Sequence, residues 1–307
     1  MMPVANPSPA AAAHEGPACT LCGGPTSFRM ERHGFPIMRC CACAYSFAVL
    51  PENFDFAPIY QDEAYWTGGT PHGYPTDYDG IVKSDLGAIF ARRLKRINGL
   101  QPPPGRLLEI GCAGGYFLGL ARGAGWDIAG VEISNPMRAV CARRIGCELF
   151  ASVDEAIASG KRFDCVVMFE VLEHIVDPPA MLRKIGEMMA PGALLAVSTP
   201  NFESHGAATS APGNVWFEPP AHIAYFGPTT LRRCLELGGF EPIELEMRLD
   251  YEMPLPPLLA AILKPLRHGK RLRPHGILGR ALKAYQLHRP EAVYWMDCLV
   301  MYARKRP

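Results

Sequence analysis

Four of the eleven cysteines fall in two tight pairs: Cys19-Thr-Leu-Cys22 and, seventeen residues later, Cys40-Cys41-Ala-Cys43. Each pair can put two thiolates on one turn, and two such knuckles together offer the tetrahedral four-sulfur coordination that zinc favours. Cys41 is the neighbour that could replace Cys40 as ligand, but register favours Cys19, Cys22, Cys40 and Cys43. The Gly-Gly-Pro after the first pair and the alternating stretch from Ser27 to Met38 supply the turn and short strands of a zinc ribbon. A four-thiolate site leaves no position for water or substrate, so the expected role of the Zn2+ is structural. An odd total of eleven cysteines fits reduced thiols better than a complete disulfide framework.

A second constellation lies in LLEIGCAGGYFL, where an apolar run meets Gly111, Gly114 and Gly115 and continues into helical spacing. Small residues let the backbone approach a ligand, and a helix start offers free N–H groups. The next apolar run ends in Glu132, about twenty residues on, where doubly wound nucleotide folds grip ribose hydroxyls. The spacing is not the G-x-G-x-x-G that accommodates a pyrophosphate. Glu109, just before the glycines, suits a cationic ligand better than a phosphate.

The elements that must position these residues follow from periodicity. Ile81, Leu86, Ile89, Phe90, Leu94 and Ile97 recur at helical spacing until Gly99 and Pro102 to Pro104 end the run. Beyond Gly105, RLLEI, DIAGVEI, FDCVVMFE and ALLAVST read as strands. Between them YFLGLARGAG, PMRAVCARRIG, DEAIASG and PPAMLRKIGEMMA read as helices. Such alternation marks a parallel sheet covered by helices on both faces. PIELEMR and DCLVMYAR supply two later strands.

These motifs resemble those of class I S-adenosylmethionine-dependent methyltransferases, in the expected order: LLEIGCAGGYFL, GVEIS, FDCVVMFEVLEHIVDP and MMAPGALLAVSTPN. The resemblance covers roughly residues 80 to 250 and departs from the pattern at Ala113, where the family usually has glycine. It implies a doubly wound α/β fold with a seven-stranded, mostly parallel, Rossmann-like sheet, beside a small N-terminal zinc ribbon. It also implies S-adenosyl-L-methionine as cofactor. By the same resemblance Glu109 orients the methionine amino group, and Gly111, Cys112, Ala113 and Gly115 pass under the methionine and ribose. Glu132 takes the ribose hydroxyls, Ile133 lies against the adenine, and Phe169 with Glu170 closes over the cofactor.

Methyl transfer from a sulfonium is an in-line displacement, so the enzyme positions two reactants and, where needed, removes a proton from the acceptor. Two histidines are placed for that task. His174, in EVLEHIVDP, starts a helical turn at the carboxyl end of a strand, where open α/β sheets bind ligands. His222, in FEPPAHIAYFGPTTL, lies in a proline-rich loop and resembles the substrate loop of sugar and small-molecule methyltransferases that also carry a zinc ribbon. His222 is the favoured base or acceptor-orienting group, and Tyr225 and Trp216 are candidate cleft aromatics with core packing as the alternative.

The expected organisation is a disordered tail (1–18), the ribbon (19–50), an aromatic connector (51–79) and a methyltransferase domain (80–307) carrying a basic helical insertion at 253–290. The connector's tyrosines 60, 65, 74 and 78 and Trp66 are expected to pack between the lobes or to line a cleft. The formal charge of +1 conceals a division: residues 253–290 hold eight basic side chains and no acid, leaving residues 1–252 at about −8. That insertion could rest on an anionic membrane surface, recognise a phosphate-bearing acceptor, or pair with the acidic remainder.

The expected acceptor is a small molecule, with a nucleotide-linked or lipid-linked sugar in view. The rivals are an RNA or protein methyltransferase that uses the ribbon for recognition, and a noncatalytic binding module. The ribbon carries only Arg29, Arg32 and Arg39 against Glu31, too weak a basic excess for a nucleic-acid footprint. No apolar stretch reaches the roughly 20 residues of a membrane span, and a cytoplasmic protein is expected; oligomeric state stays open.

Overall fold

The computed structural model describes residues 16–62, 66, 85–204, 218–248 and 298–307. Residues 1–15 of the expected tail, most of the connector, Trp216 and the insertion 253–290 lie outside these.

After Gly105 the chain builds a seven-stranded sheet whose central strands carry apolar runs buried on both faces. Its strands are β4 (Arg106–Ile110), β5 (Asp127–Val131), β6 (Glu148–Phe150), β7 (Phe163–Phe169), β8 (Met189–Pro200), β10 (Phe240–Arg248) and β11 (Cys298–Lys305). Their order is β10-β11-β8-β7-β4-β5-β6. The pairs from β8 to β6 are parallel, whereas β11 runs antiparallel to both β8 and β10. Leu107, Leu108, Val166, Val167, Met168, Leu194 and Leu195 are fully buried, as continuous apolar strands of a doubly covered sheet must be.

The covering helices are α2 (Asp85–Leu100), α3 (Tyr116–Gly123), α4 (Asn135–Arg144), α5 (Val153–Ala158), α6 (Pro178–Glu187) and α7 (Pro228–Leu237), α1 being a short turn at Ala57–Gln61. Ser134, Ser152 and Asp177 each cap a helix start, accepting from the backbone N–H of Met137, Glu155 and Ala180. The sequence expectation ran α6 on to Ala190. Instead β8 begins at Met189, which pairs with Phe163 across a register shift.

The N-terminal residues form a second sheet. Strands β1 (Thr26–Arg32) and β2 (Phe35–Cys40) make a hairpin whose turn, His33-Gly34, has φ of 50° and 80°, the left-handed pair a type I′ turn requires. β3 (Ser46–Ala48) pairs with β2, and a fourth strand, β9 (Ala224–Tyr225), joins from the far side of the sequence. Ser46 lies opposite Tyr225 and Phe47 opposite Ala224. This cross-pairing is absent from the sequence reading, in which the ribbon ended at residue 50. Leu21, Met38, Tyr45 and Phe47 of the ribbon share one apolar core with Phe226, Leu231 and Cys234, so the ribbon packs directly on the larger sheet.

Candidate active site

Strand β4 has β5 on one side and β7 on the other. Ligands of open α/β sheets bind at such a switch point, beyond the carboxyl ends of the strands. Glu109, Gly111, Glu132, Phe169 and Glu170 all fall there.

Two of the three glycines are required by geometry. Gly111 has φ of 73°, and a Cβ there would lie 2.6 Å from Val171 Cγ2. Gly115, the cap residue of α3 with φ of 80°, would bring a Cβ to 2.5 Å from Cys141 Sγ. At Gly114 a Cβ would find ordinary room, 3.5 Å from Val140. Ala113, the departure from the family pattern, takes a left-handed backbone at φ of 44°, which costs a residue with a Cβ about 1–2 kcal/mol. Its N–H donates to Glu132 Oε2 at 2.7 Å. Cys112 is buried with its sulfur turned towards Gly130, so it presents backbone alone to the turn.

Glu132 is almost fully buried and joins the two loops. Its carboxylate accepts from Ala113 N and from Ser134 N, each at 2.7 Å, while Arg138 donates to its carbonyl. Burial raises its pKa, opposed by those backbone donors. Beside it Ile133 is about half exposed, an apolar face left open at the strand end. Gln61, which the sequence reading overlooked, brackets that residue: its amide donates to Ile133 O at 2.9 Å and accepts from Asn135 N at 3.1 Å.

Glu109 is 4% exposed and its Oε2 has no hydrogen-bond partner. Burial first, then the neighbouring Glu132, pushes its carboxyl well above the usual range. A buried carboxylate with one oxygen unsatisfied is costly, and only a backbone hydrogen bond from Leu118 opposes the burial, so this position fits a ligand that brings positive charge. That is the requirement a methionine ammonium meets.

Phe169 and Glu170 sit behind this surface. The Phe169 ring packs edge-on to Phe117 at 5.0 Å, under the Arg93 guanidinium. Glu170 Oε1 accepts from Ser198 Oγ at 2.5 Å and faces Arg93 at 3.4 Å. Arg93, 3% exposed, is a second residue the sequence did not single out; a buried cation on a helix expected only to be amphipathic gives no pattern to detect.

The two candidate histidines lie side by side, ring centroids 4.9 Å apart. They meet Glu173, which the sequence reading also missed, so that one ligand atom from each of the three lies within 4.8 Å of the others. His174 belongs to the 3-10 turn Leu172–His174, which starts at the Val171 methyls over Gly111. Its Nδ1–H donates to Ala221 O at 2.8 Å, and its ring meets Tyr60 edge-on. Tyr60 and Gln61 are consecutive on α1, which therefore touches both the cofactor side and the histidine side. Trp66, buried, donates to Tyr60 O at 2.9 Å. Tyr225, a candidate cleft aromatic with core packing as the favoured alternative, packs in the core against Phe202, its hydroxyl donating to His222 O.

The ribbon holds this histidine segment at both ends. Arg32 and His33 at the hairpin tip pair with Glu218, whose carbonyl accepts from His222 N. On the other flank Ile223 N–H donates to Glu173 O and its carbonyl accepts from Ala48 N, just before the β3–β9 pairing. In the ribbon itself Cys19 and Cys43 sulfurs are 3.7 Å apart and those of Cys22 and Cys40 3.4 Å. Sulfurs on a tetrahedral zinc at about 2.3 Å stand about 3.8 Å apart, so the four thiols fit the ion, and Cys41 is exposed and outside the cluster. The Cys40 thiol is lowered to about 7, burial being outweighed by N–H donors from Cys43 and Ala42 and by the neighbouring thiols. All eleven cysteines are free thiols.

A doubly wound sheet with its last strand reversed, and two buried carboxylates, Glu109 and Glu132, where a dinucleotide site would need room for pyrophosphate, define an S-adenosylmethionine-dependent methyltransferase. The chain belongs to the family described as methyltransferase domain, which matches residues 82–245. It is 28% identical over 182 residues to the ubiquinone biosynthesis O-methyltransferase of Dinoroseobacter shibae, covering 55% of this chain and 72% of that one. With the protein of the same name from Azorhizobium caulinodans it shares 32% over 182 residues, 54% and 70% of the two chains. Among solved structures it is similar to the [4+2]-cyclase SpnF, with a TM-score of 0.51 at 19% identity over 82% of this chain and 97% of that one. It is also similar to phosphoethanolamine N-methyltransferase 2 of Haemonchus contortus, solved with S-adenosyl-L-methionine: 0.51 at 15% identity, 85% and 62%. Both structural likenesses speak to the fold alone. Among the described residues no helix is long and apolar enough to cross a membrane.

Proposed function

We propose that the chain moves the methyl group of S-adenosyl-L-methionine to an oxygen of a small-molecule acceptor, bound between the glycine turn and the cluster of Glu173, His174 and His222. The observation that carries this reading is the adjacency of two unlike sites. The Glu109 carboxylate, whose Oε2 has no hydrogen-bond partner, lies under the turn, and the histidines begin three residues beyond the Val171 that covers Gly111. Oxygen is favoured because the relatives quoted above are named O-methyltransferases.

When bound, the cofactor supplies an electrophilic methyl on a sulfonium. Glu109 holds the methionine ammonium, and Gly111, Cys112, Ala113 and Gly115 lie under the methionine and ribose. Glu132 combines its hold on the turn with the ribose hydroxyls, and Ile133 gives the adenine its apolar face. Phe169 and Glu170 act from behind, fixed by Phe117 and Arg93. His222, its backbone held by Glu218 and Tyr225, orients the acceptor hydroxyl and takes its proton, and His174 braces it.

In the same reading the four ribbon cysteines hold a structural zinc, and that zinc keeps His222 in place through β3, β9 and Glu218. The boundaries at residues 18, 50 and 79 then describe the order of segments, while the acceptor side is shared between ribbon and sheet. The basic insertion 253–290 serves an anionic acceptor or an anionic membrane surface, which makes lipid-linked or nucleotide-linked acceptors worth testing beside phenols.

The test is transfer of labelled methyl from the cofactor to a panel of phenols, nucleotide-linked sugars, lipid-linked sugars, RNA and protein. Label in one small-molecule class supports the proposal; label in RNA or protein alone overturns it. Liposome sedimentation with and without anionic lipid tests the membrane surface, and equal binding to both kinds of vesicle would remove it.

A further inference from the structure

We propose that Arg93 is a positioning residue for methyl transfer: from α2 it holds Glu170 in a strained backbone, and Glu170 in turn aims the segment Val171–His174 at the acceptor side. The reaction rests on the methyl-transfer reading above; the hold of Arg93 on the segment stands on its own geometry.

The strain falls at one residue. Glu170 has φ of 55°, in the left-handed region that a residue with a Cβ rarely adopts. Such backbones persist where the surroundings over-determine them, and they gather at functional sites. Glu170 is the first residue beyond β7, so its conformation decides where the chain goes next. Val171 then lays its side chain over Gly111, and three residues on His174 donates to Ala221 O. One residue thus sets the course of a segment that meets the glycine turn on one side and the His222 loop on the other.

Three elements hold Glu170 in place. Its N–H donates to Ser198 O of β8 at 3.0 Å, and its Oε1 accepts from Ser198 Oγ at 2.5 Å. The same Oε1 faces Arg93 Nη2 of α2 at 3.4 Å and Cys298 Sγ of β11 at 3.8 Å. Arg93 Nη2 also donates to Cys298 Sγ at 3.3 Å, which closes a ring of three side chains. Of these partners Arg93 alone carries charge, and an ion pair in a water-excluded site is stronger than one at the surface.

Arg93 is itself fixed. It is buried, and its guanidinium lies 4.8 Å from the Phe169 ring centroid and 5.9 Å from that of Phe90 on its own helix. Glu173, buried on the same segment, faces Glu170 as a like charge and Arg93 as the opposite one. One cation therefore serves two carboxylates. Buried ion pairs replaced by well-packed apolar residues often lose no stability, so an arginine behind a strained active-site residue is better accounted for by aim than by stability.

Without the cation, Glu170 relaxes towards an ordinary backbone and carries His174 away from Ala221 and His222. A reacting group displaced by about 1 Å costs on the order of 10²-fold in rate. The cofactor turn keeps its own support, because Gly111 N–H and Cys112 N–H both donate to Val131 O.

The experiment compares Arg93→Met, Glu170→Gly and the double variant with wild type, all full-length and zinc-loaded. It reads transfer of labelled methyl to the acceptor that the wild type uses, calorimetric affinity for S-adenosylhomocysteine, and the imidazole signal of His174 in protein carrying 15N-histidine. Arg93→Met should lower transfer by roughly 10²-fold, shift the His174 signal and leave S-adenosylhomocysteine affinity within a few-fold. Glycine takes a left-handed backbone freely, so in Glu170→Gly the further change Arg93→Met should cost no more than about twofold and leave the His174 signal where it is. Equal losses in the two backgrounds, as plain packing by Arg93 would give, overturn the proposal, and so does undiminished transfer in folded Arg93→Met. Should Arg93→Met fail to fold with Glu170 uncompensated, Arg93→Met in Glu170→Gln buries no lone charge and takes its place, with the same loss expected against Glu170→Gln. Wild-type protein that binds no S-adenosylhomocysteine overturns the methyl-transfer reading; the His174 signal in the two backgrounds then still decides whether Arg93 sets the segment.

Discussion

The four thiols of the ribbon and the cluster of Glu173, His174 and His222 are the two places among the described residues where three or more cysteine, histidine or acidic side chains converge within 4.8 Å. They are joined through the pairing of β3 with β9. They differ in what they leave open. Four thiolates on zinc complete a tetrahedron and exclude any substrate, whereas the imidazoles stand beyond the carboxyl end of β7, where open α/β sheets bind ligands. The first can only hold backbone in place; the second can meet a reactant. The ribbon is thus a clamp on the segment that presents His222, and its chemistry is exerted at a distance.

The same comparison explains what the sequence could tell. Each thiol pair is local, with two residues between its members, so coordination spacing is visible before any fold is known. The glycine turn and Glu109 are local too, and six of the strands follow from apolar runs long enough to read, while the count of seven comes from the family resemblance. By contrast β9 is two residues long and β6 three, too short for any periodicity. The partner of β9 lies in the ribbon, and no pattern around Ala224 points there. Glu173 stands next to His174 in the chain, yet its full burial beside the two histidines is decided by packing alone. Gln61 and Arg93 are ordinary polar residues on helices until the fold brings Ile133 and Glu170 to them.

The contrast can be broken most severely at the ribbon. Structural zinc contributes about 10–16 kcal/mol in ribbon-sized peptides, so chelation or Cys22→Ser should unfold the lobe. Amide exchange should then rise at Ser46–Ala48 and also at Ala224–Tyr225, while β4 and β5 stay protected.

Next comes Glu109→Gln, which leaves the cofactor ammonium buried without its charge partner. Calorimetry should show a loss of roughly 2–5 kcal/mol in S-adenosylmethionine binding, with ribbon zinc unaffected. Because burial raises the Glu109 pKa in the folded protein, its contribution to stability is fully present below the unfolded value of about 4.3. It is lost as pH rises through the raised folded value. Melting of the unliganded protein relative to Glu109→Gln should therefore fall with rising pH over that window. Cofactor binding there should release a proton, seen as a binding enthalpy that depends on the buffer.

His222→Ala should lower turnover by roughly 10²-fold, about 2.7 kcal/mol, with cofactor affinity unchanged. Unchanged turnover would move the acceptor side elsewhere. The smallest effect is expected at Ala113→Gly. Relief of the left-handed backbone, about 1–2 kcal/mol, is offset by roughly 0.5–1 kcal/mol of added chain freedom. A rise in melting temperature equivalent to between zero and about 1.5 kcal/mol should result, at equal cofactor affinity.

The central claim is that the ribbon serves the acceptor side and leaves the cofactor side to the glycine turn. Its most direct test is a paired measurement on Cys22→Ser protein whose β4 and β5 stay protected from exchange: calorimetric affinity for S-adenosylmethionine, and transfer of labelled methyl to the acceptor class that the wild type uses. The account predicts cofactor affinity within a few-fold of wild type and transfer reduced by about 10²-fold or more, since a misplaced reacting group costs that much. Transfer at the wild-type rate, or cofactor affinity lost as completely as transfer, would contradict it.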